Sequence, residues 1–169
     1  METADNVYFA ELIDELNNEL SIYKELLSIA GKKTDILIKG NVKVLSEITG
    51  IEQDLVLKLG RIEARRFDIV KQIASFYKKD VSDVNASFFE SILPPEELAR
   101  FTRVFHELKN VLAELEHKNN TNEKLIKRAL DYIKFSLEVI TEAGKETSVY
   151  DARGKNSGEG ALRLIDKKA

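Results

Sequence analysis

Apolar residues recur at steps of three and four along three long blocks of this chain, and no proline falls inside any of them. The first block is Phe9, Leu12, Leu16, Leu20, Tyr23, Leu27, Ala30 and Leu37, with Thr34 in one slot. The second is Leu45, Ile48, Leu55, Leu59, Ile62, Ile69, Ile73 and Phe76, with Glu52 and Arg66 in the open slots. The third runs Leu98, Phe101, Phe105, Leu108, Leu112 and Leu115, passes through Asn119 and Asn122, and continues as Ile126, Ala129 or Leu130, Ile133, Leu137 and Ile140. Alternating steps of three and four hold side chains on one stripe of a helix, the seam of a coiled coil or bundle. The pattern predicts an all-α fold: an elongated bundle or antiparallel coiled coil of three long helices plus one short helix, with a flexible C-terminal tail.

Local signals place the boundaries at about 5–38, 42–79, 81–92 and 95–143. Asp5 or Asn6 is a candidate N-cap, because a short side-chain oxygen satisfies a free N–H of the first turn. Gly40-Asn41 stops one helix and starts the next. Asp80-Val81-Ser82-Asp83 reads as an N-cap with an acidic first turn, leading into a short helix through Phe88, Phe89 and Ile92. Pro94 and Pro95 end it, and Pro95-Glu96-Glu97 opens the last helix. That helix is about 73 Å long at 1.5 Å per residue, a length that requires partners along it. Gly50 and Gly60 fall inside the second block, each costing about 1 kcal/mol against Ala. They are read as glycines tolerated on the surface rather than sites of close helix approach.

The chain has 169 residues, the size of one domain, and 33% of them are charged, which suits long solvated helices. It has no Cys, which excludes a disulfide scaffold, a thiolate metal site and a cysteine nucleophile. A net charge of −3 argues against general nucleic-acid binding. No run approaches the ~18 apolar residues of a membrane span, and the acidic start, Met1-Glu2-Thr3-Ala4-Asp5, lacks the features of a secretory signal. The expectation is a cytoplasmic protein with no membrane insertion.

Chemistry-bearing constellations are sparse. Glu114 and His117 have the E-x-x-H spacing of a carboxylate-bridged metal site, but a second copy is needed, and Arg103 stands three before His106. No catalytic residue, metal site or cofactor site is expected, and the chain is read as not an enzyme. Arg61, Arg65 and Arg66 form a basic cluster, read as pairing along its own helix with Glu63 or Asp68.

Asn119 and Asn122 interrupt an apolar stripe. Either they fix register, since any other alignment leaves an amide unpaired, or the stripe turns toward water there. Residues 95–118 are expected to pack on the short helix and the second long one. Residues 123–142 either pack on the first helix or present an apolar face to a partner. Residues 144–169 hold Gly144, Gly154, Gly158 and Gly160, half of the chain's eight glycines, with six basic and four acidic residues. Such a segment cannot bury enough surface to order alone. Its last residues form a short amphipathic pattern containing Leu162 and Ile165, and Tyr150 is its one aromatic, a candidate anchor.

This arrangement resembles the FlgN-type flagellar export chaperones over nearly the whole chain. The general part is the order of helices: a long helix, Gly40-Asn41, a second long helix through Arg65-Arg66, a short helix and a final long one. The sharper parts are Asn119-x-x-Asn122 followed by Leu125-Ile126, the tail motif Val149-Tyr150-Asp151-Ala152-Arg153-Gly154-Lys155, and the terminal Asp166-Lys167-Lys168-Ala169. Asp151 stands where many relatives carry Gly. The resemblance implies a cytosolic chaperone that holds the C-terminal helical segments of the hook–filament junction proteins and delivers them to the export gate. It implies client binding by Asn122, Ile126, Leu130, Ile133, Leu137, Ile140, Leu162 and Ile165, in a helix-in-groove mode. It also implies docking of the export-gate cytoplasmic domain by Tyr150 and Leu130. The alternative is a self-associating coiled coil, a homodimer without an export role.

Overall fold

The computed structural model describes the backbone of residues 2–149 and the side chains of residues 7–142. Within them are four α-helices and no strand: α1 (Glu2–Lys39), α2 (Val42–Phe76), α3 (Ala86–Ile92) and α4 (Pro95–Val149), with one 3-10 turn at Val81–Asp83. This is the all-α arrangement of three long helices and one short helix that the apolar spacing predicts. The chain divides into two compact units, residues 1–125 and residues 126–169.

In the first unit, α1 and α2 form a tight helical hairpin. Its turn follows from Gly40, whose φ of 67° is costly for any side chain with a Cβ. The Asn41 N–H bonds the Ile36 carbonyl and the Gly40 N–H bonds the Leu37 carbonyl, both at 3.3 Å. That pair of bonds satisfies the free carbonyls of the helix end in a Schellman motif. Asn41 then caps α2, its side chain accepting from the Val44 N–H at 3.3 Å. The far end of α2 repeats the motif with Lys78 at φ 51° in the glycine position. There Lys79 N–H reaches the Ala74 carbonyl at 2.9 Å.

Two expected caps are displaced. The backbone is helical from Glu2, so Asp5 and Asn6 lie inside α1 rather than ahead of it. Asp80 makes no side-chain capping bond, and the short helix does not start at Val81. Instead the chain makes one 3-10 turn and straightens at Asn85, whose side chain accepts from the Phe88 N–H at 3.1 Å. Asn85 is the better cap because the preceding turn leaves it extended, the conformation an N-cap requires.

The main core lies where α3 meets the three long helices. Phe89 packs edge-on to Phe9 (6.3 Å between centroids), edge-on to Phe88 (5.5 Å) and tilted against Phe101 (5.1 Å). Leu12, Leu16, Ile69, Ile73, Val104 and Leu108 complete it. A smaller cluster of Leu26, Leu55 and Leu59 lies further along the hairpin. In several places the buried residue is the sequence neighbour of the expected one. Leu26 is buried while Leu27 is only partly covered; Val104 is buried while Phe105 is 45% exposed; Phe76 is exposed, and Tyr77 packs against the core. A stripe of 3.5-residue period drifts on a 3.6-residue helix by about 20° per heptad, so adjacent apolar residues compete for one slot.

Gly50 and Gly60 are exposed, and a Cβ on either meets nothing within 4 Å. Close approach therefore does not explain them. Gly50→Ala and Gly60→Ala should each stabilise the protein by about 0.5–1 kcal/mol, read as a raised urea midpoint at constant slope.

Candidate functional site

Three of the polar residues that interrupt the apolar stripes, Glu52, Arg66 and Asn122, bond across to α1. Glu15 and Glu19 on α1 are buried, with side chains only 6% exposed. Arg65 reaches Glu15 at 3.2 Å and Arg66 reaches Glu19 at 2.5 Å. Glu63 accepts from the Tyr23 hydroxyl at 3.2 Å, and Asp68 pairs with Lys71 at 3.1 Å. The arginines thus pair across to α1 and not along α2 with Glu63 or Asp68, because α1 offers carboxylates that burial leaves in need of a cation. Burial holds the Glu19 carboxyl above the usual range in spite of Arg66. Its contribution to folding is accordingly largest at low pH and declines as pH rises through that raised pKa. Glu52, in another open slot, pairs with Lys33 at 2.6 Å. Lys24 bonds Glu107 at 2.8 Å, tying α1 to α4, and holds that carboxyl below the usual range.

Tyr23 is pushed up to about 12 by burial, reinforced by the neighbouring Glu63 carboxylate. A raised pKa in the folded state favours folding below the unfolded value of about 10, and that contribution is lost as pH rises toward the folded value. Ultraviolet titration of the phenolates should show a phase near pH 12 that Tyr23→Phe removes.

Asn122 is the most committed polar side chain of the first unit. It is 2% exposed. Its amide nitrogen donates to the Ala30 carbonyl at 2.9 Å, and its amide oxygen accepts from the Thr34 hydroxyl at 2.7 Å. The open slot of α1 therefore faces the interrupted slot of α4, which is the register-fixing arrangement. Both ends of the amide of Asn122, a residue expected to contact a client, are thus engaged with α1. Asn119 is exposed and lines an open groove of about 710 Å³ with Tyr23, Leu26, Val56, Leu57 and Leu115. The apolar spacing did not disclose this groove, since Val56 and Leu57 lie off the seam of α2.

In the second unit, residues 126–142 are helical. Ile126, Leu130, Ile133, Leu137 and Ile140 are all exposed, from 37% at Ile126 to 68% at Ile140. They share one stripe, as their spacing requires. Exposed apolar rows of this kind mark interaction surfaces. Tyr132, Phe135 and Val139 are exposed as well, and the seam pattern overlooked them. Tyr150, Leu162 and Ile165 lie outside the described residues.

Among the described residues no group of three or more His, Asp or Glu could hold a metal ion, and His106 and His117 are both exposed. None of the described helices is long and apolar enough to cross a membrane. In comparisons with known proteins, the family model for FlgN, described as FlgN protein, matches residues 1–158. No curated protein and no solved structure matches the chain.

Proposed function

The chain belongs to the FlgN family of flagellar export chaperones, and from that premise we propose that it serves the hook–filament junction proteins in the cytoplasm. It binds their C-terminal helical segments, prevents their premature assembly and delivers them to the export gate. The observation that carries this reading is the exposed stripe Ile126, Leu130, Ile133, Leu137 and Ile140. A client segment destined to pack as an amphipathic helix in the filament needs such a complement while it waits. The tail supplies further contacts through Leu162 and Ile165, and Tyr150 with Leu130 docks the cytoplasmic domain of the gate.

Titration calorimetry with the C-terminal segment of a hook–filament junction protein from the same organism tests the reading. The expected result is one-to-one binding at micromolar or tighter affinity with a negative heat-capacity change, the mark of apolar burial. Ile133→Asp should weaken it at least tenfold, because a carboxylate is costly to bury without a partner. Removal of residues 144–169 should weaken it too. Absence of binding by the intact chain would overturn the client assignment.

A further inference from the structure

The exposed apolar surface of residues 126–142 is wider than one helix can cover. Successive residues turn about 100° around a helix axis, so the angular place of each side chain follows from its number. The stripe of Ile126, Leu130, Ile133, Leu137 and Ile140 occupies one side. Tyr132, Phe135 and Val139 form a second row centred about 150° around the axis from the first, with Tyr132 72% exposed and Phe135 62% exposed. Together the two rows sweep about 220° of circumference, against the roughly 100° apolar stripe of an ordinary surface helix. The polar residues Lys127, Asp131, Lys134, Glu138, Thr141 and Glu142 are confined to the remaining side.

Two residues inside the wide arc are polar, and neither needs water over its whole length. Ser136 donates its hydroxyl to the Tyr132 carbonyl at 2.8 Å. Arg128 has an aliphatic stem that can lie along apolar surface while its head stays solvated. A helix apolar around most of its circumference is one that ends up with neighbours on two sides. A two-fold pairing with a second copy covers one row and leaves the other in water. One client helix does the same.

We propose that the client binds as a helical hairpin, one amphipathic helix on the Ile133 row and a second on the Phe135 row. This deepens the client reading above and rests on it. Each helix would match the ~17 residues of the face, and with a short connection the client segment would measure about 36–42 residues.

Calorimetry of the full chain against that client segment, intact and as its two halves, decides the matter. The intact segment should bind at least tenfold more tightly than either half. Ile133→Asp and Phe135→Asp should each weaken the intact segment at least tenfold. Phe135→Ser gives a second, uncharged variant of the same row, and circular dichroism confirms retained helicity. A half that binds as tightly as the whole overturns the hairpin. So does an affinity unchanged within twofold by Phe135→Asp, Phe135→Ser and Tyr132→Ser while Ile133→Asp abolishes binding; the client reading then stands without the hairpin. If neither row matters to the client, both readings fall. Sedimentation showing an oligomer that Phe135→Asp dissociates, with client affinity unchanged, would assign the second row to further copies of this chain.

Discussion

Ile73→Ala should lower the stability of the bundle by about 2–5 kcal/mol, measured as a shift of the urea midpoint. Ile73 is 1% exposed and lies in the cluster where α1, α2, α3 and α4 converge. Truncation removes three carbons from the cluster that also holds Phe9, Phe88, Phe89 and Phe101, and a close-packed core closes only partly over such a void. Phe76→Ala, three residues on, should cost far less despite deleting more atoms, because Phe76 is 43% exposed. The comparison separates burial from size.

Asn122→Asp should cost about 3–5 kcal/mol at neutral pH, although the side chains are nearly the same shape. The amide nitrogen that donates to the Ala30 carbonyl would become an oxygen, setting two acceptors against each other inside the bundle. The Asp at this site would be easier to protonate than to ionise, so the loss should shrink as pH falls. Asn122→Leu should be milder. The Thr34 hydroxyl also lies 3.0 Å from the Ala30 carbonyl, so it keeps a partner when the amide is gone. A polar pair whose apolar replacement is tolerated contributes register more than stability.

How far the sequence discloses this molecule depends on whether a feature is local. Helix type and number follow from periodicity, and the Gly40 stop follows from one residue's conformational freedom. The facing residue cannot be read that way. Arg65 and Arg66 have acidic neighbours on their own helix, yet they pair with Glu15 and Glu19, which become short of a cation only when α1 is buried against α2. Leu26 and Leu27 are equally apolar, and only the position of the facing helices chooses between them. The exposed row of residues 126–142 was legible as a stripe, but its width was not. Seam counting follows one row at a time and passes over Tyr132, Phe135 and Val139. The groove beside Leu57 stayed hidden because it is a property of three helices at once.

The paired carboxylates of α1 leave a signature beyond this one chain. A buried Glu whose Arg is lost is a liability, and an Arg whose Glu is lost is merely an exposed cation. Substitution across relatives should therefore be asymmetric and linked: position 19 should change before or together with position 66, seldom after it, and position 15 should stand in the same relation to position 65. The order in which the two halves of each pair were exchanged would then record which helix surface tolerated solitude.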